Sequence, residues 1–325
     1  MTGRTDSVAG RRIFVTGGAG FIGSALVDLL VAGGAHVTVY DTLSLGRREF
    51  LAGAIATGRC TLIEADLLDA GRIPPAIAGH DAAFHLAANS DISLGRAETD
   101  RDLRQGTVAT YNVLDAMRQQ GIVDVVLAST SAVYGEHVPQ PTREDAGPLL
   151  PISLYGASKL ASEALVSAFA HNFGLRGWIF RFANVVGGRA THGAVFDFIR
   201  KLRHTPGELP VLGDGRQSKP YLFVDDCVDG MLFGWRHATE PMNVFNLAVD
   251  GATSVADIAG IVRAEMGLAD ARVTFSGGAR GWPGDVSQVR LDPSKLAALG
   301  WRARRTSHDA IRDGVRAALR DPSFV

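Results

Sequence analysis

The sequence predicts an α/β protein with a doubly wound parallel sheet, followed after about residue 183 by a smaller mixed α/β region. Two observations support this fold class. Strand signals alternate with helical spacing of apolar residues through the first half of the chain, and a glycine-rich turn joins the first strand to the first helix. Because each strand is followed by a helix, we expect parallel strands that are covered on both faces.

The first strand–helix–strand unit carries the strongest pattern. Residues 12–16 predict a buried strand, and apolar residues then recur at helical spacing until Gly33-Gly34 ends the helix. Residues 36–40 predict the second strand, which Asp41 closes. Further strands are predicted at 61–65, 82–86, 123–128 and 177–182, and the most prominent helices at 107–121 and 155–173.

The second half of the chain is rich in turn signals made of glycine and proline. A strand-like run at 221–224 and a helix at 225–235 are expected to return to the sheet. The sequence therefore predicts two interleaved domains, one over 1–183 with about 221–245 added, and a second over 184–325.

Composition excludes several classes of protein. The 325 residues are 46% hydrophobic and 21% charged, which excludes intrinsic disorder. The net charge of −1 leaves no basic excess to neutralise phosphates, so we expect no nucleic-acid partner. The two cysteines, Cys60 and Cys227, are too few for a disulfide framework, and the nine histidines form no HExxH pattern, so we expect no metal.

One apolar stretch is similar to a secretion signal. Arg11 and Arg12 precede an apolar run over residues 13–35. Six glycines and Asp28 interrupt that run, and no other segment is apolar enough to span a bilayer. We therefore expect a cytoplasmic protein with no membrane partner.

The turn after the first strand has the spacing of a phosphate-binding loop. Gly17, Gly20 and Gly23 stand between a predicted strand and a predicted helix. Such glycines permit a tight turn, a close approach to a pyrophosphate and close packing of the helix on the strand. The helix N-terminus adds free N–H groups and a partial positive charge for the phosphates.

A carboxylate at the end of the second strand indicates which dinucleotide binds. Asp41 lies 18 residues past Gly23, where its side chain would accept the hydroxyls of the adenosine ribose. Because this carboxylate would repel a 2′-phosphate, the sequence predicts NAD. Arg47 and Arg48 lie nearby and leave NADP as an alternative.

A second motif carries the candidate catalytic groups. Tyr155 and Lys159 form a Tyr-x-x-x-Lys pattern on one face of a predicted helix. An ammonium near a phenol favours the phenolate, so we expect Lys159 to lower the pKa of Tyr155 and make it a general base. The hydroxyl-rich run that begins at Ser129 follows a predicted strand, where a hydroxyl can bind the same substrate oxygen as Tyr155.

Together these motifs resemble the extended short-chain dehydrogenase/reductases of the nucleotide-sugar epimerase/dehydratase group, most of all the UDP-sugar 4-epimerases. The resemblance runs from about Arg12 to Trp301. Beyond the motifs already described, it is carried by residues 65–67, 85–88, 129–135, 181–184, 213–215 and 224–226. It implies a Rossmann-type NAD-binding domain and a smaller C-terminal domain that binds the nucleotide-sugar.

The resemblance also implies roles for individual residues. Thr130 matches the family's catalytic hydroxyl and acts with Tyr155 and Lys159. The residues expected to contact NAD are Gly17, Gly20, Phe21, Ile22, Gly23, Asp41, Asp66, Leu67, Leu86, Ala87, Ala88, Ser129, Tyr155, Lys159, Phe182 and Ala183. The residues expected to contact substrate are Ser90, Thr130, Ser131, Asn184, Arg189, Val211, Leu212, Lys219, Arg280 and Asp285.

Three departures from the family pattern bear on function. Ser131-Ala132 stands where dehydratases and decarboxylating relatives carry acidic residues, and this argues against loss of water. Lys219 replaces an arginine that binds the diphosphate in many relatives, and a lysine lacks the bidentate fork of arginine. Trp282 stands where another such arginine usually lies, although Arg280 is close.

The sequence leads to one principal function and two alternatives. The principal hypothesis is NAD-dependent epimerisation of a nucleotide-sugar at C4, with a UDP-hexose or UDP-hexuronate favoured. The first alternative is a nucleotide-sugar dehydratase or dehydrogenase. The second alternative is a non-catalytic NAD(H)-binding regulator. By analogy with the family we expect a homodimer that forms through the helices at 107–121 and 155–173.

Overall fold

The structure is a computed structural model that describes residues 7–89, 97–281 and 286–321. The chain forms two compact units. The first unit contains the chain as far as Val133, Leu154–Arg181 and Val228–Phe245. The second contains Tyr134–Ser153, Phe182–Cys227 and the chain from Asn246 onward. The assignment of NAD to one domain and of substrate to the other remains a prediction.

The strands are β1 (Arg12–Thr16), β2 (His36–Asp41), β3 (Cys60–Glu64), β4 (Ala82–His85), β5 (Asp124–Thr130), β6 (Arg176–Phe182), β7 (Asn184–Val186), β8 (Glu208–Val211), β9 (Ser218–Lys219), β10 (Tyr221–Phe223), β11 (Met242–Leu247), β12 (Thr253–Ser254) and β13 (Arg272–Phe275). The helices are α1 (Phe21–Ala32), α2 (Ala52–Ala56), α3 (Ile73–Ile77), α4 (Ala109–Gln119), α5 (Leu154–Phe173), α6 (Ala194–His204), α7 (Val224–His237), α8 (Val255–Glu265), α9 (Ser294–Ala298) and α10 (Ser307–Arg320).

A seven-stranded sheet in the order β11-β6-β5-β4-β1-β2-β3 confirms the predicted fold class. The strand pairs β1–β2, β2–β3, β1–β4 and β4–β5 are parallel. The strand order reverses at β1 and β4, which run side by side with Thr16 opposite His85. In doubly wound sheets ligands bind at this switch point, beyond the carboxyl ends of the strands.

Apolar strands and helices make the core of the first unit. Four of the five residues of β1 are buried, since this central strand has neighbours on both sides. Phe14 on β1, Val113 on α4 and Val166 on α5 belong to one buried apolar cluster. This packing fixes α4 and α5 on the sheet, and α5 carries the candidate catalytic residues.

The helix predicted at 107–121 begins differently in the structure. A π-helical segment, Leu103–Val108, precedes α4. Ser158 Oγ donates to the carbonyl of Asp102 at 2.7 Å, and this carbonyl would otherwise be the α-helical partner of the Gly106 amide. A Cβ on Gly106 would overlap the same Ser158 hydroxyl. Helix α5 therefore presses on this turn and widens it, which the local sequence does not reveal.

The described part of the second unit contains three small two-stranded sheets. Strands β10 and β7 pair in parallel, as do β13 and β8, and β12 pairs antiparallel with β9. The prediction that residues 221–224 return to the large sheet is wrong, because the edge of β7 takes β10 as its partner. The strand that does join the large sheet is β11.

Among the described residues, no helix combines the length and apolar character needed to cross a bilayer.

Substitution of Gly23 by Ala tests the packing of α1 on the glycine turn. The new Cβ would overlap the Gly17 carbonyl, so backbone must move, and we expect a loss of about 1–3 kcal/mol in the free energy of unfolding. Weaker NAD binding should accompany this loss. Urea unfolding and calorimetric titration with NAD measure the two effects.

Gly53→Ala is the matched control. Gly53 lies in the short helix α2, and a Cβ built there meets no atom within 4 Å. We expect no loss of NAD binding and a gain of about 0.4–1 kcal/mol in stability. Equal behaviour of the two variants would contradict the role given to Gly23.

Candidate active site

The glycine turn between β1 and α1 forms a close-fitting cradle. Gly17 has a φ of +68°, and a Cβ there would lie 2.7 Å from the amide nitrogen of Ala87. Gly20 is the N-cap of α1 and offers no side-chain cap. The amides of Phe21 and Ile22, in the first turn of the helix, therefore lack intrahelical partners and can bind an anion.

Asp41 is held rigidly at the end of β2. Its Oδ2 accepts a hydrogen bond from the Ala19 amide at 3.0 Å, and its Oδ1 accepts one from the Leu43 amide at 2.9 Å. Burial raises the pKa of Asp41, while these two hydrogen bonds act to lower it. Arg48 forms an ion pair with Glu64 at 3.5 Å, so this arginine is already engaged by a carboxylate.

The two residues predicted to hold adenine differ in exposure. Asp66 is exposed, and its Oδ1 accepts a hydrogen bond from the Leu68 amide at 2.9 Å. Leu67 is buried in the apolar cluster, and its carbonyl accepts a hydrogen bond from Asn112 Nδ2 at 2.8 Å. The side chain of Leu67 therefore supports the core, and Asp66 is the more accessible of the two.

The segment after β4 is fixed to β1 through buried hydrogen bonds. The Ala87 amide donates to Thr16 Oγ1 at 3.3 Å, with Leu86 and Ala88 half-buried on either side. His85 Nδ1 lies 2.7 Å from the same Thr16 hydroxyl, and His85 Nε2 lies 3.0 Å from Thr110 Oγ1. Burial, with a smaller contribution from Lys159, lowers the pKa of His85 to about 3, so the imidazole is neutral.

Tyr155 and Thr130 lie together as predicted. Thr130 is the last residue of β5 and Tyr155 is the second residue of α5. The Thr130 hydroxyl hydrogen-bonds to the Tyr155 phenol and also accepts from the Ala132 amide at 3.2 Å. The bond to Thr130 favours the phenolate, because it acts to lower the pKa of Tyr155.

The expected lowering of the Tyr155 pKa by Lys159 is wrong, because the effect of burial is larger. Burial raises the pKa of Tyr155 to about 12, and the nearby Asp102 carboxylate adds to this. The Lys159 ammonium instead donates to the carbonyl of Ala128 at 2.8 Å. Burial lowers the pKa of Lys159 to about 8, partly opposed by Glu163. For Tyr155, desolvation therefore outweighs the hydrogen bond to Thr130.

A buried ion pair lies beside these residues. Arg181 Nη2 donates to Glu163 Oε2 at 2.7 Å, and Arg181 Nε donates to Glu163 Oε1 at 3.0 Å. Ser129 Oγ donates to Glu163 Oε1 at 2.5 Å. Ser129, predicted to contact NAD, is thus a buried link between β5 and α5. Glu163 was not predicted, although it follows Lys159 by four residues on the same helix face.

Asp102 is a second group that sequence reasoning missed. Its side chain is buried, and its Oδ1 accepts a hydrogen bond from Asn89 Nδ2 at 3.0 Å. Oδ2 has no hydrogen-bond partner among the described residues. Burial raises the pKa of Asp102. No sequence pattern predicts this carboxylate as part of the site. Asp102 directly precedes the π-helical segment, whose geometry depends on a contact with Ser158 of α5.

Among the described residues predicted to bind substrate, Thr130 and Ser131 lie in the first unit and the others lie in the second unit. Asn184 begins β7, Lys219 ends β9, and Val211 ends β8 with its side chain buried. Leu212 is 57% exposed. Phe182 and Ala183, predicted to contact NAD, are both buried, and the Ala183 amide donates to the Leu247 carbonyl at 3.0 Å.

The two arginines predicted in this group have different surroundings. Arg280 forms an ion pair with Glu136, with 2.8 Å between Nη2 and Oε2. A diphosphate at Arg280 would therefore compete with an internal carboxylate. Arg189 is half-buried in the loop after β7. Ser90 and Asp285, also predicted to contact substrate, lie outside the described residues.

Comparison with known proteins identifies the family. The model of the NAD dependent epimerase/dehydratase family matches residues 13–248. The chain belongs to this family. The family is NAD dependent, which agrees with the cofactor predicted from the glycine turn and Asp41. The resemblance predicted from the sequence is confirmed.

Similar proteins within the family include enzymes of two activities. A UDP-glucose 4-epimerase from Mycolicibacterium smegmatis is 32% identical, over 94% of this chain and 97% of its own. The crystal structure of a UDP-galactose 4-epimerase is 40% identical with a TM-score of 0.83, over 95% of this chain and 98% of its own. A dTDP-glucose 4,6-dehydratase from Streptomyces venezuelae, solved with NAD bound, is 28% identical with a TM-score of 0.89, over 96% and 98% of the two chains.

The residues of the first unit fit the NAD of this family. The cradle at Gly17 would be filled by any Cβ, and the uncapped N-terminus of α1 provides amides for a pyrophosphate. Asp41 provides a carboxylate for ribose hydroxyls, and one of the two nearby arginines is engaged by Glu64. Contacts of individual residues with NAD remain predictions.

Replacing Lys159 by Met should change how stability depends on pH. Since burial lowers the pKa of Lys159 to about 8 from 10.5, the unfolded chain holds the proton more tightly between these values. Stability from this group therefore rises with pH over that window, by up to about 1.4 kcal/mol per pH unit. The Met variant lacks this rise.

Urea unfolding at pH 7.5, 8.5 and 9.5 measures the difference between the wild-type chain and Lys159→Met. These values stay below pH 10, where Tyr155 begins to contribute in the opposite sense. Lys295→Met, at an exposed lysine, is the control and should follow the wild-type curve. A constant difference between wild type and Lys159→Met across this range would contradict the desolvated ammonium.

Proposed function

We propose that the chain catalyses the NAD-dependent epimerisation of a nucleotide-sugar at C4, with a UDP-hexose or UDP-hexuronate as substrate. The observation that supports this most is the hydrogen-bonded pair of Thr130 and Tyr155, with Lys159 one helical turn beyond Tyr155. A phenol and a hydroxyl together can bind one substrate oxygen, which suits removal and return of a single proton.

In the proposed reaction, Tyr155 and Thr130 act on the oxygen at C4. Tyr155 takes the proton of the C4 hydroxyl, and Thr130 stabilises the oxygen as its charge develops. Bound NAD would supply the acceptor for the hydride of C4 and, in the return half, its donor. The 4-keto sugar turns over in the pocket, so that the hydride returns to its opposite face. Tyr155 then gives the proton back to the C4 oxygen. No net oxidation results.

The high pKa of Tyr155 suits the return half of this scheme. Burial raises this pKa to about 12, so the phenol favours its protonated form. A group that keeps its proton is well suited to protonate the keto oxygen in the return half. The forward half needs the phenolate, which the Thr130 bond favours.

Epimerisation is favoured over dehydration by the residues next to Thr130. Loss of water from C5 and C6 needs a further acid or base, and positions 131 and 132 carry Ser and Ala. The similarity to a 4,6-dehydratase keeps that reaction as the second candidate. A 4-keto-6-deoxy product would identify it, whereas steady accumulation of NADH would identify a dehydrogenase.

Tyr155→Phe should abolish turnover while the fold and NAD binding are retained, because only the proton-carrying oxygen is removed. The substrates are UDP-glucose, UDP-galactose and their uronates, with products followed by NMR. Tyr111→Phe, which removes the hydroxyl of an exposed tyrosine, should retain full activity. The proposal fails if the wild-type chain interconverts none of a broad panel of nucleotide-sugars.

We also propose that the chain forms a homodimer through α4 and α5. Tyr111 on α4 and Phe173 on α5 are 48% and 53% exposed, and both pack against Phe169, with ring centroids 6.1 and 5.1 Å apart. Leu103, in the π-helical segment, is 55% exposed. A two-fold axis would place such an apolar patch against its own copy.

Introducing charge into this patch tests the dimer. Tyr111→Glu with Phe173→Glu should shift the sedimentation coefficient from that of a dimer to that of a monomer, because two carboxylates would be buried without partners. Leu212→Glu, at an exposed leucine of the second unit, should leave the dimer intact. A monomeric wild-type chain at micromolar concentration would refute the assembly.

A further inference from the structure

Three ionisable residues follow one face of helix α5. Tyr155, Lys159 and Glu163 are spaced four residues apart, so each lies one turn beyond the previous one. Tyr155 and Lys159 belong to the proposed mechanism, but Glu163 does not. A buried carboxylate beside a catalytic ammonium calls for a physical explanation, because burial of charge is unfavourable unless the charge is compensated.

This helix face is bonded to the end of strand β5 at two consecutive residues. Lys159 Nζ donates to the carbonyl of Ala128 at 2.8 Å. The next residue, Ser129, donates its hydroxyl to Glu163 at 2.5 Å. Thr130 follows directly in the chain. The two bonds therefore set the distance between the hydroxyl of Thr130 and the phenol of Tyr155.

Arg181 on β6 compensates the charge of Glu163. Both Arg181 nitrogens that donate to Glu163 do so within 3.0 Å, and both side chains are only 6% exposed. The bidentate arginine and the serine hydroxyl satisfy both oxygens of this buried carboxylate. Lys159 therefore has a fixed anion on the next turn of its own helix.

The groups around Lys159 make Glu163 its principal counter-charge. His85 on β4 is neutral, and burial favours the protonated form of Tyr155. Arg181 carries positive charge and is engaged by Glu163. Asp102, before the π-helical segment, acts on Tyr155. Of these groups, Glu163 is the one that raises the pKa of Lys159 against the effect of burial.

We propose that Glu163 is a positioning residue, which keeps Lys159 protonated and holds the Ser129–Thr130 end of β5 against Tyr155. The inference rests on the proposed function only for its consequence on turnover. The charge state of Lys159 can be measured in the chain without any sugar, so failure of the two proposals can be told apart.

The chain offers a direct measurement, because its four lysines are Lys159, Lys201, Lys219 and Lys295. Selective ¹³Cε-lysine labelling should give four resolved sets of signals, assigned by Lys159→Met. In wild type the Lys159 signal should titrate near pH 8. In Glu163→Gln we expect its midpoint to fall by at least ~1 unit, because an opposite charge nearby has been removed.

Glu265→Gln is the matched control. Glu265 is also in an ion pair with an arginine, Arg316, but on the surface of the second unit. This variant should leave the Lys159 midpoint unchanged. An unchanged Lys159 midpoint in folded Glu163→Gln would overturn the proposal, since the carboxylate would then have no effect on the pKa of the ammonium.

A double variant keeps the test valid if Glu163→Gln does not fold. Removing one partner of a buried ion pair leaves the other uncompensated, whereas Glu163→Gln with Arg181→Met removes both charges. The Lys159 midpoint should still fall, because Glu163 is the charged neighbour that acts on it. A midpoint that stays near pH 8 in the folded double variant would again overturn the proposal.

Ser129→Ala separates the two roles of Glu163. It removes the hydroxyl bond to Glu163 without changing any charge, so the Lys159 midpoint should stay near pH 8. With an active substrate, kcat should fall at least ~10-fold at unchanged KM, as Thr130 loses its fixed position. In Glu163→Gln the alkaline limb of the kcat–pH profile should also move to lower pH. Unchanged kcat in Ser129→Ala would overturn the positioning role.

Discussion

The bond from Lys159 Nζ to the carbonyl of Ala128 joins helix α5 to the carboxyl end of β5, where the candidate chemistry takes place. A buried ammonium that donates to a fixed carbonyl can move little, so it fixes the helix register against the strand. Tyr155 and Thr130 then meet as a consequence of backbone geometry. The same ammonium is desolvated, which makes its charge state sensitive to each neighbouring carboxylate.

The electrostatics of the site result from competition between burial and compensation. Burial raises the pKa of the Tyr155 phenol and lowers the pKa of the Lys159 ammonium, so both groups favour their neutral forms. Glu163 and the Thr130 hydroxyl act in the opposite direction. For Tyr155 the balance therefore favours the protonated phenol.

The sequence predicted the large sheet well. Its strands are short apolar runs, and the spacing of the glycines indicates a tight turn between the first strand and the first helix. Local patterns also predicted that Tyr155 and Lys159 share one helix and that Asp41 ends β2. They did not predict Asp102, Glu163 as a partner of Arg181, or the widened turn at Gly106, since each depends on contacts between residues far apart in the chain. The pKa of Tyr155 was misjudged because spacing shows which charges are near but not how much water is lost.

The π-helical turn before α4 has a consequence for how the chain tolerates sequence change. Gly106 has no chemical group of its own, but any side chain there would strike Ser158, the residue adjacent to Lys159. A substitution in one helix would thus be transmitted as a displacement of another. Mutant libraries designed to broaden the range of sugars should leave Gly106 unchanged. Its substitution would lower activity through this displacement, and a screen for activity would not distinguish that from the loss of a catalytic residue.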